Sequence, residues 1–322
     1  MPEGRRDSGD YSLDWWQAGI DNAEAGNYQD ALVCFERCLK SDPTLLDAHF
    51  MKAACLVELA RFEEANLAIE DHLDRETEVA PIWSLKATVH AALNELDTAV
   101  AACEVAIEIS ESREPKYLIQ QAIFLFDLGR ETEALENYDR VLQLAPEDSL
   151  AWMNKGVCLS RLGRMEEALT CYSQSLSIEP ESVLTWKNIE VALRKLQRFK
   201  EMVLACEIGL EYDPDHKDLW GDRAFALLRL RKYDEALQSV TRALELNPGR
   251  ASYWGWRACA LSGLGQYSDA LAAAVRGLEI DPDDAYLWKE KGLSLLHLSR
   301  HADANACFAV VDDLLNLERE RA

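Results

Sequence analysis

The sequence predicts an all-α fold, a stack of about nine helix pairs, and three observations predict it. Trp15, His49, Trp83, Leu118, Trp152, Trp186, Trp220, Trp254 and Trp288 recur at steps of 34 residues, with one step of 35. Sixteen residues after each of them stands Ala31, Ala65, Ala99, Ala134, Ala168, Met202, Ala236, Ala270 or Ala304. Within each unit, apolar residues at helical spacing are interrupted by a short breaker such as Leu162-Gly163-Arg164, so each unit holds two helices. The alanine column marks where helices approach too closely for a larger side chain. The tryptophans fill the space between layers, and truncating one is expected to cost about 3–5 kcal/mol.

The elements follow in chain order. Residues 1–11 contain Arg5 and Arg6 with no apolar stretch after them, which predicts a flexible tail and not a secretory leader. The array then divides as 12–45, 46–79, 80–114, 115–148, 149–182, 183–216, 217–250, 251–284 and 285–318, with 319–322 as a second tail. Gly26, Gly129, Gly163 and Gly265 fall between the two helices of their units, where a residue with positive φ ends the first helix, and Asn94 is the next best choice there. Units two to four depart most. His49 and Leu118 replace tryptophan, Thr77 and Glu111 replace the closing proline, and the stretch 110–116 carries the extra residue. Pro81 and Pro115 stand near helix starts, where a missing amide proton costs nothing. Met202 in the alanine column predicts local irregularity, with overpacking worth about 1–3 kcal/mol. In the last unit Val311, Leu314 and Leu315 lie on a helix with no further helix to cover it, an expected homo-oligomer contact.

Trp152, Gly156, Ala168, Tyr172 and Pro180 run in the order large, small, small, aromatic, proline, and Pro43, Pro146, Pro180, Pro214, Pro248 and Pro282 fill the closing position. On these residues the chain resembles the tetratricopeptide repeat family over roughly 12–318. The resemblance implies a right-handed α-solenoid superhelix whose first helices line a concave groove for a protein or peptide partner. Carried over residue by residue, the sixth position of successive first helices gives Gln120, Asn154, Asn188 and Asp222. This column is similar to the asparagine ladder in the repeat region of the O-linked N-acetylglucosamine transferases. A carboxamide donates and accepts at once, so such a ladder grips an extended backbone. The alternative is that these side chains bond to their own array. Lys187, Arg161, Arg194, Lys195 and Arg229 lie on or beside the same wall and form either a positive track for an acidic segment or ordinary solvated positions. Ile123 and Phe126, with Trp16, Phe50 and Ile119, suggest an apolar lining in the earlier units. The carboxylate clamp of chaperone adaptors is not expected. Lys187 fits its first place, but Val191 stands where an asparagine is needed.

The formal charge of −23 repels phosphate backbones and anionic lipid, so neither nucleic acid nor membrane is an expected partner, and a helical-repeat reader of RNA, a class that is basic and of period 35, is disfavoured by the charge and by the period of 34. No apolar run is long enough to span a bilayer. Nine cysteines without a CxxC or zinc spacing read as core residues in a reducing, cytoplasmic compartment. Six histidines show no repeated nucleophile or ligand geometry, so no enzyme activity, metal or cofactor is expected. The expected function is a non-catalytic scaffold holding an extended or helical segment of a partner. The alternative is a structural element that self-assembles end to end.

Overall fold

The computed structural model describes residues 10–321. Eighteen helices and no strand occur among the described residues, and the chain divides into two compact units, 1–162 and 163–322. In the first unit α1 (Asp10–Glu24) pairs with α2 (Tyr28–Ser41), α3 (Leu46–Glu58) with α4 (Phe62–Leu73), α5 (Ala80–Ala92) with α6 (Leu96–Ile109), and α7 (Pro115–Asp127) with α8 (Glu131–Leu144), before α9 (Ser149–Arg161). The second unit opens with α10 (Met165–Ile178). It continues as α11 (Val183–Lys195) with α12 (Phe199–Tyr212), α13 (Lys217–Arg229) with α14 (Tyr233–Leu246), α15 (Ala251–Gly263) with α16 (Tyr267–Ile280), and α17 (Ala285–His297) with α18 (His301–Arg321).

First helices of consecutive pairs touch each other, α3 with α5 and α5 with α7 in the first unit, and α11, α13, α15 and α17 in succession in the second. No two second helices reach that extent of contact. The first helices therefore form the tighter, inner wall of each unit. The alanine column is what lets the two helices of a pair close on each other: its eight alanines are fully buried, and so is Met202. α12 has the same 14 residues as α10, α14 and α16, so the larger side chain interrupts no helix.

The tryptophan column does more than fill space. Trp83, Trp152, Trp186, Trp220, Trp254 and Trp288 each donate the indole N–H to the carbonyl six residues earlier, at 2.7–2.9 Å. That carbonyl belongs to Thr77 or to a closing proline. His49 keeps the bond, with Nε2 2.9 Å from the Pro43 carbonyl, which fixes the ring proton on Nε2. Each such bond is worth about 1 kcal/mol and pins the link between one helix pair and the next.

Every turn between the first and second helices of a repeat uses one residue of positive φ. These are Gly26, Ala60, Asn94, Gly129, Gly163, Gln197, Arg231, Gly265 and Ser299, with φ between 54° and 79°. Glu111 and Ser112 add two more, at 52° and 58°, where the chain absorbs its one extra residue. Past four of these turns an arginine forks onto a glutamate three residues on, as Arg61 does with Glu64 and Arg130 with Glu133 at 2.6–2.7 Å.

Both ends differ from the sequence expectation. α1 starts at Asp10, inside the expected tail, and residues 1–9 lie outside the described residues. α18 runs through 319–321, which were expected to be tail, because the alternating glutamates and arginines there contain no glycine or proline to stop a helix. Residue 322 lies outside the described residues.

Candidate functional site

In the first unit the expected site residues sit on α7 and α9. The Gln120 amide is spent on its own chain: it accepts from Ser84 Oγ at 2.7 Å and donates to the Ser84 carbonyl at 3.0 Å and Thr88 Oγ1 at 2.9 Å. Asn154 hydrogen-bonds Tyr138. Arg161 lies 3.0 Å from Glu131, donates to the Phe126 carbonyl at 3.1 Å, and covers the Phe126 ring at 4.4 Å. Trp16 and Phe50 pack onto the core of this unit. Ile123, 43% exposed, is the part of the expected apolar lining that faces out most.

In the second unit α11 carries Lys187, Asn188, Arg194 and Lys195, and α13 carries Asp222 and Arg229. Lys187 is paired with Asp218 at 3.0 Å. Arg194 bridges Glu190 at 2.6 Å and Asp222, and its guanidinium lies 5.0 Å from the Phe225 ring centroid. Glu190, 1% exposed, also hydrogen-bonds Asp222. Burial first and the Asp222 charge second push the Glu190 acid up to about 8, and Arg194 pulls it back. The group thus holds two carboxyls in contact beside one guanidinium. Lys195 and Arg229 are exposed and have no carboxylate partner among the described residues; Arg229 lies 5.0 Å over the Phe199 ring. Asn188 is half-buried and has no hydrogen-bond partner among the described residues.

The chain's own carboxylates therefore meet three of the five expected basic residues, Arg161, Lys187 and Arg194. Of the four ladder residues, Asn188 keeps its hydrogen-bonding capacity free.

Residue type alone does not single out Phe225 or Trp256, yet both sit at the centre of this wall. Phe225 lies 6.1 Å from Phe199 and 5.7 Å from Trp256, and Trp256 lies 5.5 Å from Tyr253. Four rings and two guanidiniums thus form one cluster drawn from α11, the start of α12, α13 and α15, with Tyr253 fully buried. The period does contain the signal. Trp256 follows Asp222 by 34 residues, so it continues the column of Asn154 and Asn188, and Glu290 comes next. Glu290 is 4% exposed, and burial pushes its carboxyl up.

No group of three metal-ligating side chains occurs among the described residues, and no described helix is long and apolar enough to cross a membrane. Burial pushes the thiols of Cys103 and Cys158 up to about 12, which keeps them protonated and unreactive.

Residues 119–263 match the family described as Psidin, N-terminal TPR repeats region, and residues 22–89 and 257–311 match models described as Tetratricopeptide repeat. Among solved structures, a tetratricopeptide repeat protein from Parabacteroides merdae is similar over 79% of this chain and 100% of its own, at 12% identity and a TM-score of 0.57. The APC/C hetero-tetramer Cut9-Hcn1 is similar over 83% of this chain and 52% of its own, at 18% identity and a TM-score of 0.51. MamA from Desulfovibrio magneticus is similar over 52% of this chain and 95% of its own, at 20% identity and a TM-score of 0.50. At these identities the likeness is one of fold. No curated protein matches the chain.

Proposed function

Since this chain is an array of tetratricopeptide repeats, we propose that it is a non-catalytic scaffold holding an extended or helical segment of a protein partner on the first-helix wall of its second unit. The observation that carries the reading is the cluster of half-buried Phe199, Phe225 and Trp256, backed by the buried Tyr253, with Arg194 and Arg229 over two of its rings. Tryptophan, tyrosine and arginine side chains anchored in a packed surface carry most of the free energy of binding in interfaces. Asn188 has its donor and acceptor free for a partner's backbone, and Lys195 and Arg229 offer charge that no carboxylate among the described residues consumes, which suits an acidic segment.

Titration of a captured partner against the full chain tests the reading. Trp256→Ala is expected to weaken binding by about 30-fold, the 2 kcal/mol of a typical anchor, and Asn188→Ala by several-fold. Wild-type affinity in both variants, with melting curves showing both folded, would remove this wall from the function.

A second reading, self-assembly, draws on α18, where Leu315 is 40% exposed and Val311 and Leu314 are half-buried. Light scattering decides it. The mass should drop to that of a monomer in a Leu314→Glu, Leu315→Glu variant, and a monomeric wild type counts against it.

A further inference from the structure

Three residues after the column position, held by tryptophan in five cases and by His49 in one, six repeats carry a basic residue: Lys52, Lys86, Lys155, Arg223, Arg257 and Lys291. Several of these cations lie over the tryptophan ring itself, Lys86 at 5.1 Å from Trp83 and Lys155 at 5.3 Å from Trp152. In three repeats the cation is also held by a carboxylate sixteen residues earlier, on the preceding second helix. Lys86 meets Glu70 at 2.7 Å, Lys155 meets Asp139 at 2.5 Å and Arg223 meets Glu207 at 2.7 Å. Lys52 has Glu36 at the same spacing.

In the last two repeats that carboxylate is missing. Thr241 stands there for Arg257, and Val275 for Lys291. The cations keep their places, Arg257 at 6.0 Å from the Trp254 ring centroid and Lys291 at 4.3 Å from that of Trp288, with no carboxylate partner among the described residues. Val275 is 39% exposed at the position where other repeats place an acid.

Between α16 and α18 this leaves a groove of about 460 Å³, with Trp288 and Lys291 in its lining and Leu271, Val275, Leu295 and Val310 as apolar wall. Arg300 and Asp303, both also in the lining, pair with each other at 2.6 Å, so this acid is spent on Arg300 and the groove keeps one net positive charge. The two preceding grooves of this unit differ. Asp269 shares one with Arg257, and in the other Glu207 already neutralises Arg223. The groove at Lys291 thus combines an apolar wall with one uncompensated positive charge.

We propose that the groove between α16 and α18 docks a partner segment bearing a carboxylate side chain flanked by apolar ones. The carboxylate takes on Lys291 the place that Glu70, Asp139 and Glu207 hold in other repeats, while its neighbours cover Leu271, Val275 and Val310. An ammonium already resting on an indole face, with its stem half-buried, gains more from a carboxylate than a fully solvated lysine does. The acidity of the whole chain does not prevent this. At about 0.15 M salt the screening length is about 8 Å, so the nearest cation outweighs distant acids. The second helices α16 and α18 flank this groove and α17 contributes Trp288, Lys291 and Leu295, but none of its lining residues belongs to the aromatic cluster of α12, α13 and α15, so the two can be tested independently.

The probe is a fluorescein-labelled hexapeptide alternating leucine and glutamate, titrated by anisotropy with the full chain at 0.15 M salt. Saturable binding is expected, weakened at least tenfold by Lys291→Met, by Val275→Glu, and by exchanging the peptide's glutamates for glutamine. Trp256→Ala should leave it unchanged. Val275→Glu gives Lys291 an internal partner and should melt no lower than wild type; if it unfolds, Lys291→Met and the glutamine peptide carry the test. The proposal is overturned by equal affinity for the glutamate and glutamine peptides, by full binding to Lys291→Met, or by no saturable binding up to millimolar protein.

Discussion

His49 sits in a tryptophan position and keeps the tryptophan's hydrogen bond through a different ring. Its removal should therefore resemble the loss of a staple more than the loss of bulk. His49→Phe, which fills the space without the N–H, is expected to lower stability by about 1 kcal/mol in urea unfolding, and His49→Trp to restore it. Equal midpoints for His49→Phe and wild type would mean the bond contributes nothing. Glu190 makes a second residue-scale prediction. Its acid is raised in the folded chain, against an unfolded value of about 4.3. A group shifted in that direction stabilises fully below the unfolded value and loses its contribution as the pH climbs toward about 8. Wild type should lose stability between pH 5 and pH 8.5 relative to Glu190→Gln, whose amide does not ionise, and parallel pH profiles would contradict this. Part of the cluster is readable in sequence, since Glu190 and Arg194 are four apart on one helix. That they turn toward Asp222 depends on how α11 meets α13, which no spacing within one helix specifies. For the same reason Asp222 reads as a groove residue in sequence and is buried in the structure.

At the scale of elements, the turn between paired helices imposes positive φ on nine residues whatever their type. Glycines and Asn94 announce that turn in sequence. Ala60, Gln197, Arg231 and Ser299 do not, because nothing in an alanine or a glutamine signals a left-handed backbone; the period alone locates them. Ala60→Gly is expected to stabilise by up to about 1 kcal/mol, since the strain relieved outweighs the added freedom of the unfolded chain. A lower melting temperature in that variant would count against strain at the turn. Gly263 is constrained differently: a Cβ there would stand 2.4 Å from the Tyr233 ring. Gly263→Ala should cost about 1–3 kcal/mol, and a neutral result would show that Tyr233 moves aside freely. Helix pairs, their lengths and the alanine contacts were readable because periods of 3.6 and 34 coexist in one stretch of chain. The aromatic wall was harder to read. Phe199, Phe225 and Trp256 come from three different repeats and share no column.

Over the whole molecule the charge is distributed unevenly: residues 1–162 hold 14 basic and 31 acidic residues, and residues 163–322 hold 20 and 26. Like charges in that excess repel within the folded chain, and salt screens them, with the Debye length shrinking from about 30 Å at 0.01 M to about 8 Å at 0.15 M. The melting temperature should therefore rise over that range, and a fall would show that the many surface ion pairs outweigh the repulsion. The indole bonds to the preceding turn have another consequence. Each reaches only six residues back, so both halves of such a joint lie side by side in the gene. A stretch copied from one closing proline to the next brings its own fastening with it, and lineages can lengthen or shorten such a chain by whole modules without inventing new junctions.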